Sequence, residues 1–188
     1  MIILISAAGS SGKTLMAQRL LEKYHIPYLS IDHLKMGLYR GDKKCGFTPF
    51  DRTEVIGDHL WPILKGMMLT IIENKQSIIM EGSYLLPHYI KEFDAAYPEK
   101  IIPVFFGFSA SYIEENVETS IVKYRDVIEL RQYPEERTMK ELIREHEEFK
   151  AKCLQAGLPY FEIEHDYDKE IRKVYDYIGE RKRRLDSL

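Results

Sequence analysis

The chain has 188 residues, 45% apolar and 30% charged, with a formal net charge of −3. That length accommodates one domain with a sizeable core, the composition is that of a soluble globular protein, and the weak negative charge sets up no field that would recruit nucleic acid or an anionic membrane. Two cysteines, Cys45 and Cys153, lie far apart without a C-x-x-C pairing, which excludes a disulfide framework and a zinc site and fits a reducing, cytoplasmic setting.

The chain opens on MIILI (1–5), which reads as a buried strand. It lacks the basic flank and the length of a signal peptide, and no later stretch reaches the roughly 18 apolar residues of a spanning helix. SAAGSSGKT (6–14) follows, small or polar at nearly every position. Residues 12–24 then read as a helix with Leu15, Met16 and Leu20 on one stripe, ended by Pro27. YLSI (28–31) is a short second strand. Residues 36–50 are rich in Gly and Lys and read as a loop. A long helix begins at Asp51, which forms a capping box with Glu54, and Pro62 should kink or split it.

SIIME (77–81) and IIPVFFGF (101–108) are the third and fourth strands, with Pro103 marking an edge or a bulge in the latter. Ser109 or Ser111 caps a helix carrying Ile113, Val117 and Ile121. Residues 125–138 are charged and interrupted by Pro134. Thr138 and Glu141 form a second capping box, opening a helix through Leu142, Ile143, His146 and Phe149. His146 lies on its apolar face and reads as a buried structural histidine rather than a ligand. Gly157 and Pro159 stop that helix before YFEI (160–163), the fifth strand. Residues 168–184 form the last helix, whose basic end, Arg181 to Arg184, reads as a solvated terminus. Five strands alternating with helices give an α/β chain with a parallel sheet covered on both faces.

The stretch between the first strand and the first helix carries the sharpest chemistry. Its tail, Gly12-Lys13-Thr14, ends a Walker A motif in which Ala7 stands for the first glycine. Small residues let consecutive backbone N–H groups of Ala8, Gly9, Ser10, Ser11 and Gly12 curl around phosphate oxygens, and the helix start adds its positive end. Lys13 can reach the β- and γ-phosphates of ATP, and Thr14 can ligate Mg²⁺. The LSGGQ of a transporter ATPase is missing, the one D-x-x-G (DYIG, 176–179) falls inside the last helix, and NKQS (74–77) lacks the aspartate of N-K-x-D.

With that motif in this setting, the chain resembles the small P-loop kinases built like nucleoside monophosphate kinases. The resemblance implies a three-layer P-loop NTPase sandwich with a sheet in the order 2-3-1-4-5, all within one domain over residues 1–188. It also implies an acceptor-binding insertion at about 34–72 and an arginine-bearing lid at about 125–138. SIDHLK (30–35) is similar to the S-x-D-x-x-R element of kinases that phosphorylate hydroxyls, with Lys35 replacing the arginine. There the aspartate is the general base, a role that falls on Asp32; the plainer reading makes Asp32 a helix cap. The arrangement of IDHLK and MEG (80–82) resembles 2-phosphoglycerate-kinase-like and zeta-toxin-like enzymes.

Glu81 closes the third strand and is placed to hold Mg²⁺ or the acceptor. No Pro-Arg follows it, so the grip that monophosphate kinases use on their acceptor is missing. A phosphate acceptor needs no base whereas a hydroxyl does, so the expected substrate is a small hydroxyl-bearing metabolite. Lys35, Arg40, Lys43, Lys44 and Arg52 crowd the insertion and make an anionic acceptor the expectation, with Lys35, Arg40 and Glu81 binding it. Of the lid arginines Arg125, Arg131 and Arg137, at least one should reach the phosphates, with Arg131 and Arg137 as catalytic candidates. The expected partners are therefore ATP, Mg²⁺ and the acceptor, with neither nucleic acid nor membrane. The near alternative is a nucleoside or nucleoside monophosphate kinase, and the distant one a nucleotide-binding regulatory protein without transfer activity.

Overall fold

A computed structural model describes residues 1–93, 98–124 and 137–187. Five strands, β1 (Ile2–Ala7), β2 (Tyr28–Ser30), β3 (Ile78–Glu81), β4 (Ile101–Phe108) and β5 (Tyr160–Ile163), form one sheet. Its order is β2-β3-β1-β4-β5, and every pairing is parallel. The strands alternate with α1 (Lys13–Tyr24), α2 (Ile31–Gly41), α3 (Thr53–Glu73), α4 (Ala110–Asn116), α5 (Val122–Tyr124), α6 (Met139–Gln155) and α7 (Tyr167–Asp186).

The period of two along a strand explains the continuous apolar runs. Ile2 and Leu4 of β1 point into one core with α3 residues Ile56, Leu60, Leu64 and Met68. Ile3, Ile5 and Ala7 point into the other, with Met16 and Leu20 of α1 and Ile171, Val174 and Ile178 of α7. Both faces of β1 are therefore buried, and its carboxyl end is where the chain must turn out of the sheet.

Four local expectations need adjustment. Residues 36–41 are helical, because Ile31, Leu34, Lys35 and Leu38 recur at helical spacing and α2 packs that stripe inward. The helix α3 starts at Thr53 without a side-chain cap, since the Asp51 carboxylate accepts instead from the Thr48 amide at 2.6 Å. Pro62 does not split α3; it is exposed, so water can serve the carbonyl left without a donor one turn back. The same helix is long and apolar enough, by length and composition, to cross a membrane. It instead packs seven residues into the protein interior and carries Asp58 and Lys65, which bond Tyr89 and Glu92. Pro103 behaves as expected: it pairs with Leu4 of β1, and β5 joins β4 only from Phe105, so the proline sits on a local edge. The Thr138–Glu141 capping box is formed, and Ser109 caps α4.

Candidate active site

The loop between β1 and α1 is held by its own side chains. Ser11 Oγ donates to the Ala8 carbonyl at 2.8 Å, and the Lys13 ammonium, largely buried, donates to the same carbonyl at 3.0 Å. Gly12 adopts φ +88°, a left-handed conformation that a side chain would strain, and a Cβ there would lie 2.5 Å from Tyr167 Oη. Ser10 is also left-handed, at φ 60°. At Gly9 a Cβ would meet the Arg137 guanidinium. The composition of the loop thus reflects close approach from two sides.

Strand register brings the next groups together. Ser30 at the end of β2 lies opposite Glu81 at the end of β3, which lies opposite Ile5 of β1. Glu81 is 1% exposed and accepts from Thr14 Oγ1 at 3.3 Å. Burial pushes the Glu81 carboxyl above its usual range; Ser30, the Lys13 charge and Thr14 pull it down, and Asp32 adds to the rise. The Ser30 hydroxyl faces this carboxylate from beyond hydrogen-bond geometry and is buried without a hydrogen-bond partner. Two hydroxyls and a carboxylate form a hard-oxygen set of the kind Mg²⁺ accepts, so Thr14 and Glu81 fit the ion expected of them, with Ser30 beside them.

Asp32 is the second residue of α2, and the N-cap position belongs to Ser30, so Asp32 is not the cap. One of its oxygens accepts from the Lys35 ammonium at 2.7 Å, a turn along the helix. Lys35 also donates to Tyr84 Oη at 2.8 Å. Burial alone would lower the Lys35 pKa, but the Asp32 charge and the bonds to Asp32 and Tyr84 outweigh it and raise it. Lys35 is therefore bonded to both Asp32 and Tyr84.

A cavity of about 390 Å³ opens beside the loop. Ala8 and Gly9 form one wall, Tyr84 a second, Arg52 and Glu54 at the start of α3 a third, and Phe149 and Lys152 of α6 a fourth. Lys152 bonds Glu54 at 2.5 Å, while Arg52, with 82% of its side chain exposed, lies 3.5 Å from the same residue. Hydrogen bonding from Lys152 holds the Glu54 carboxyl below its usual range despite partial burial. Of Lys35, Arg40, Lys43, Lys44 and Arg52, only Arg52 lines this cavity. Arg40 is exposed in the last turn of α2 and does not line this cavity.

Arg137 reaches the loop, donating to Ser10 Oγ at 3.0 Å and pairing with Glu145 at 2.8 Å. Arg125 and Arg131 lie outside the described residues. Three contributors escaped the sequence reading. Tyr84 looked like the absence of an arginine, and Glu145 like one of many surface acids on a charged helix. Tyr167 packs on Gly12 from the start of α7, a contact only the fold creates.

The chain has the P-loop NTPase fold. It is similar to a gluconokinase from Sinorhizobium meliloti 1021, with a TM-score of 0.56 and 14% identity over 95% of this chain and 91% of that one. It is similar also to the shikimate kinase of Aquifex aeolicus, with a TM-score of 0.53 and 15% identity over 95% and 96% of the two chains. A shikimate kinase from Bacteroides thetaiotaomicron gives a TM-score of 0.52 and 15% identity over 95% and 98%. No protein-family model and no curated protein matches the chain. At these identities the likeness is one of fold, and the P-loop chemistry has to be argued from the residues themselves.

Proposed function

We propose that this P-loop protein is an ATP-dependent phosphotransferase that moves the γ-phosphoryl group to a hydroxyl of a small anionic metabolite. The observation that carries this reading is the convergence of Lys13 and Asp32 on Glu81, which Thr14 bonds, at the carboxyl edge of the sheet, beside a cavity that shares the loop as a wall. Loop amides and Lys13 would hold the triphosphate. Thr14 and Glu81 would hold Mg²⁺, which when bound neutralises phosphate charge. The acceptor hydroxyl gives its proton to the Asp32 oxygen not engaged by Lys35. Its oxygen then bonds to the γ-phosphorus as the bond from that phosphorus to the ADP oxygen breaks, and ADP leaves with the electron pair.

Lys35 fixes the Asp32 carboxylate in direction. Arg137, already against the loop, donates to charge developing on the phosphoryl oxygens. Arg52 at the cavity rim is the insertion cation available to an anionic group on the acceptor. The spacing of Asp32, Lys35 and Glu81 supports a place near the 2-phosphoglycerate-kinase-like and zeta-toxin-like hydroxyl kinases. The missing Pro-Arg after β3, where Ser83 and Tyr84 stand instead, disfavours a monophosphate acceptor.

The test is acceptor-dependent ADP release from Mg-ATP, run with panels of hydroxy acids and sugar phosphates, nucleosides, and nucleoside monophosphates. Release with the first panel is expected. Release only with monophosphates would move the chain to the adenylate-type alternative. Nucleotide binding without release from any panel would leave a regulatory nucleotide-binding protein.

A further inference from the structure

We infer that the Ser30 hydroxyl holds a water from the hydration shell of the divalent cation, which makes Ser30 a positioning residue of the metal site beside Thr14 and Glu81. The inference rests on the reading of those two residues as the protein ligands of Mg²⁺.

Ser30 stands at the N-cap position of α2. Serine is preferred there because its side-chain oxygen can accept from an amide of the first helical turn. No such bond is made here. The residue is 2% exposed, and its hydroxyl has no hydrogen-bond partner among the described residues. A buried hydroxyl left unpaired has given up water without a replacement, which is costly. In a native protein such a group points to a bound water or ion.

The alternation of side chains along the sheet gives the direction of that hydroxyl. Tyr28 and Ile79 pair across β2 and β3 and face the core under α1, whereas the next pair, Leu29 and Met80, faces the core under α3. Ser30 and Glu81 follow, so both return to the α1 side, on strands about 4.8 Å apart. The helix α1 supplies an independent gauge. Gln18 Nε2 donates to Tyr28 Oη at 3.3 Å, and Thr14, one turn earlier, donates to Glu81 at 3.3 Å. One turn of helix covers about 6 Å and two residues of strand about 6.6 Å. The step from Tyr28 to Ser30 therefore matches the step from Gln18 to Thr14. Ser30 lies level with Thr14, on the same side of the sheet as the carboxylate.

Mg²⁺ takes oxygen ligands, dehydrates reluctantly and keeps several waters when bound. Each of those waters needs an acceptor. Ser30 Oγ offers lone pairs and a donor at the level of Thr14 and Glu81, and it bonds neither the loop nor its own helix. A side chain that fixes a metal-bound water sets the affinity of the site without touching the metal.

ATP binding by the full chain, read by calorimetry in excess Mg²⁺ and again in EDTA, tests the inference, with the thermal midpoint as a second readout. Ser30→Ala deletes the hydroxyl and little else. It should weaken Mg-ATP binding about tenfold while ATP binding in EDTA stays within about twofold of wild type. Without ligand its midpoint should equal or exceed that of wild type, because an unpaired buried hydroxyl has been removed. The rise in midpoint on adding Mg-ATP should be smaller than in wild type. Unchanged Mg-ATP binding overturns the inference. So does an equal loss of affinity with and without Mg²⁺, or a lower midpoint without ligand, either of which would mean that Ser30 supports the fold and not the cation. In those cases the nucleotide reading stands. Wild-type ATP binding that does not respond to Mg²⁺ overturns the reading of Thr14 and Glu81 as ligands and the inference with it.

Discussion

The nucleotide half of the site and the acceptor half are built from different material. The first is nine consecutive residues whose working groups are mostly main-chain amides, backed by Lys13 and Glu81 with 9% and 1% exposure. The second is assembled from the start of α3, the turn after β3 and the outer face of α6. Its polar groups are more exposed: Arg52 has 82% of its side chain in solvent, Glu54 34% and Lys152 38%. Backbone groups buried between two cores cannot drift, so whatever binds them must present the same polyphosphate shape. Side chains from three separate segments can each change without unfolding the sheet. On the proposed function, the general chemistry falls to the buried loop and the choice of acceptor to the more exposed side chains.

The strongest way to break that contrast is at Lys13. Lys13→Ala should abolish the calorimetric signal with Mg-ATP and reduce turnover by about 10³-fold or more, because a preorganised charge is lost from a buried site. Retained nucleotide binding would mean that the loop is not the anchor of the site. Asp32 lies on the boundary between the halves. Asp32→Asn should lower kcat by about 10²–10³-fold with Mg-ATP affinity unchanged, the behaviour of a lost proton acceptor. A kcat within a few fold of wild type would point to an acceptor that arrives already ionised.

Glu81 sharpens the contrast from the side of stability. Its pKa is raised in the folded protein, chiefly by burial. The folded state therefore favours the protonated acid. The stability this group contributes is complete below the ordinary glutamate range and is lost as pH rises toward the folded value. At neutral pH the ionised, buried carboxylate weakens the fold. Glu81→Gln should raise the thermal midpoint at pH 7–8, a gain that narrows as pH falls toward the ordinary glutamate range. Activity should fall about 10- to 100-fold, as for loss of a group that supports a metal site. A lower midpoint at pH 7 would show that the bond from Thr14 and the Lys13 charge outweigh the burial.

This division also decides what could be read from sequence. The strands β1, β3 and β4 were legible because both their faces are largely buried, so they stand out as apolar runs. The loop was legible because phosphate binding by amides demands small residues next to one another. The first turns of α2 were not, since the helical stripe from Ile31 to Leu38 begins inside what looks like the end of a strand and is diluted by Gly37. Arg137 could be narrowed to one of three, but nothing local says that Glu145 and Ser10 receive it. The burial of His146 was evident from its apolar helix face. Its partner was not, because Phe108 meets it through a main-chain amide, which carries no residue-specific mark.

Tyr84 offers the smallest effect and the finest test of the two halves. Its hydroxyl takes a bond from Lys35 at 2.8 Å, and its ring lies 4.9 Å from the same ammonium, so ring and hydroxyl hold Lys35 in separate ways. It also lines the cavity. Tyr84→Phe removes one hydrogen bond and keeps the ring, which should cost about 1 kcal/mol. If the cavity is the acceptor site, that cost appears as a roughly fivefold rise in KM for the acceptor, with KM for ATP unchanged. If the hydroxyl serves only to steady Lys35 behind Asp32, the same substitution lowers kcat and leaves both KM values alone. Equal changes in the two KM values would erase the boundary, since they require one side chain from the turn after β3 to govern a loop held by its own backbone.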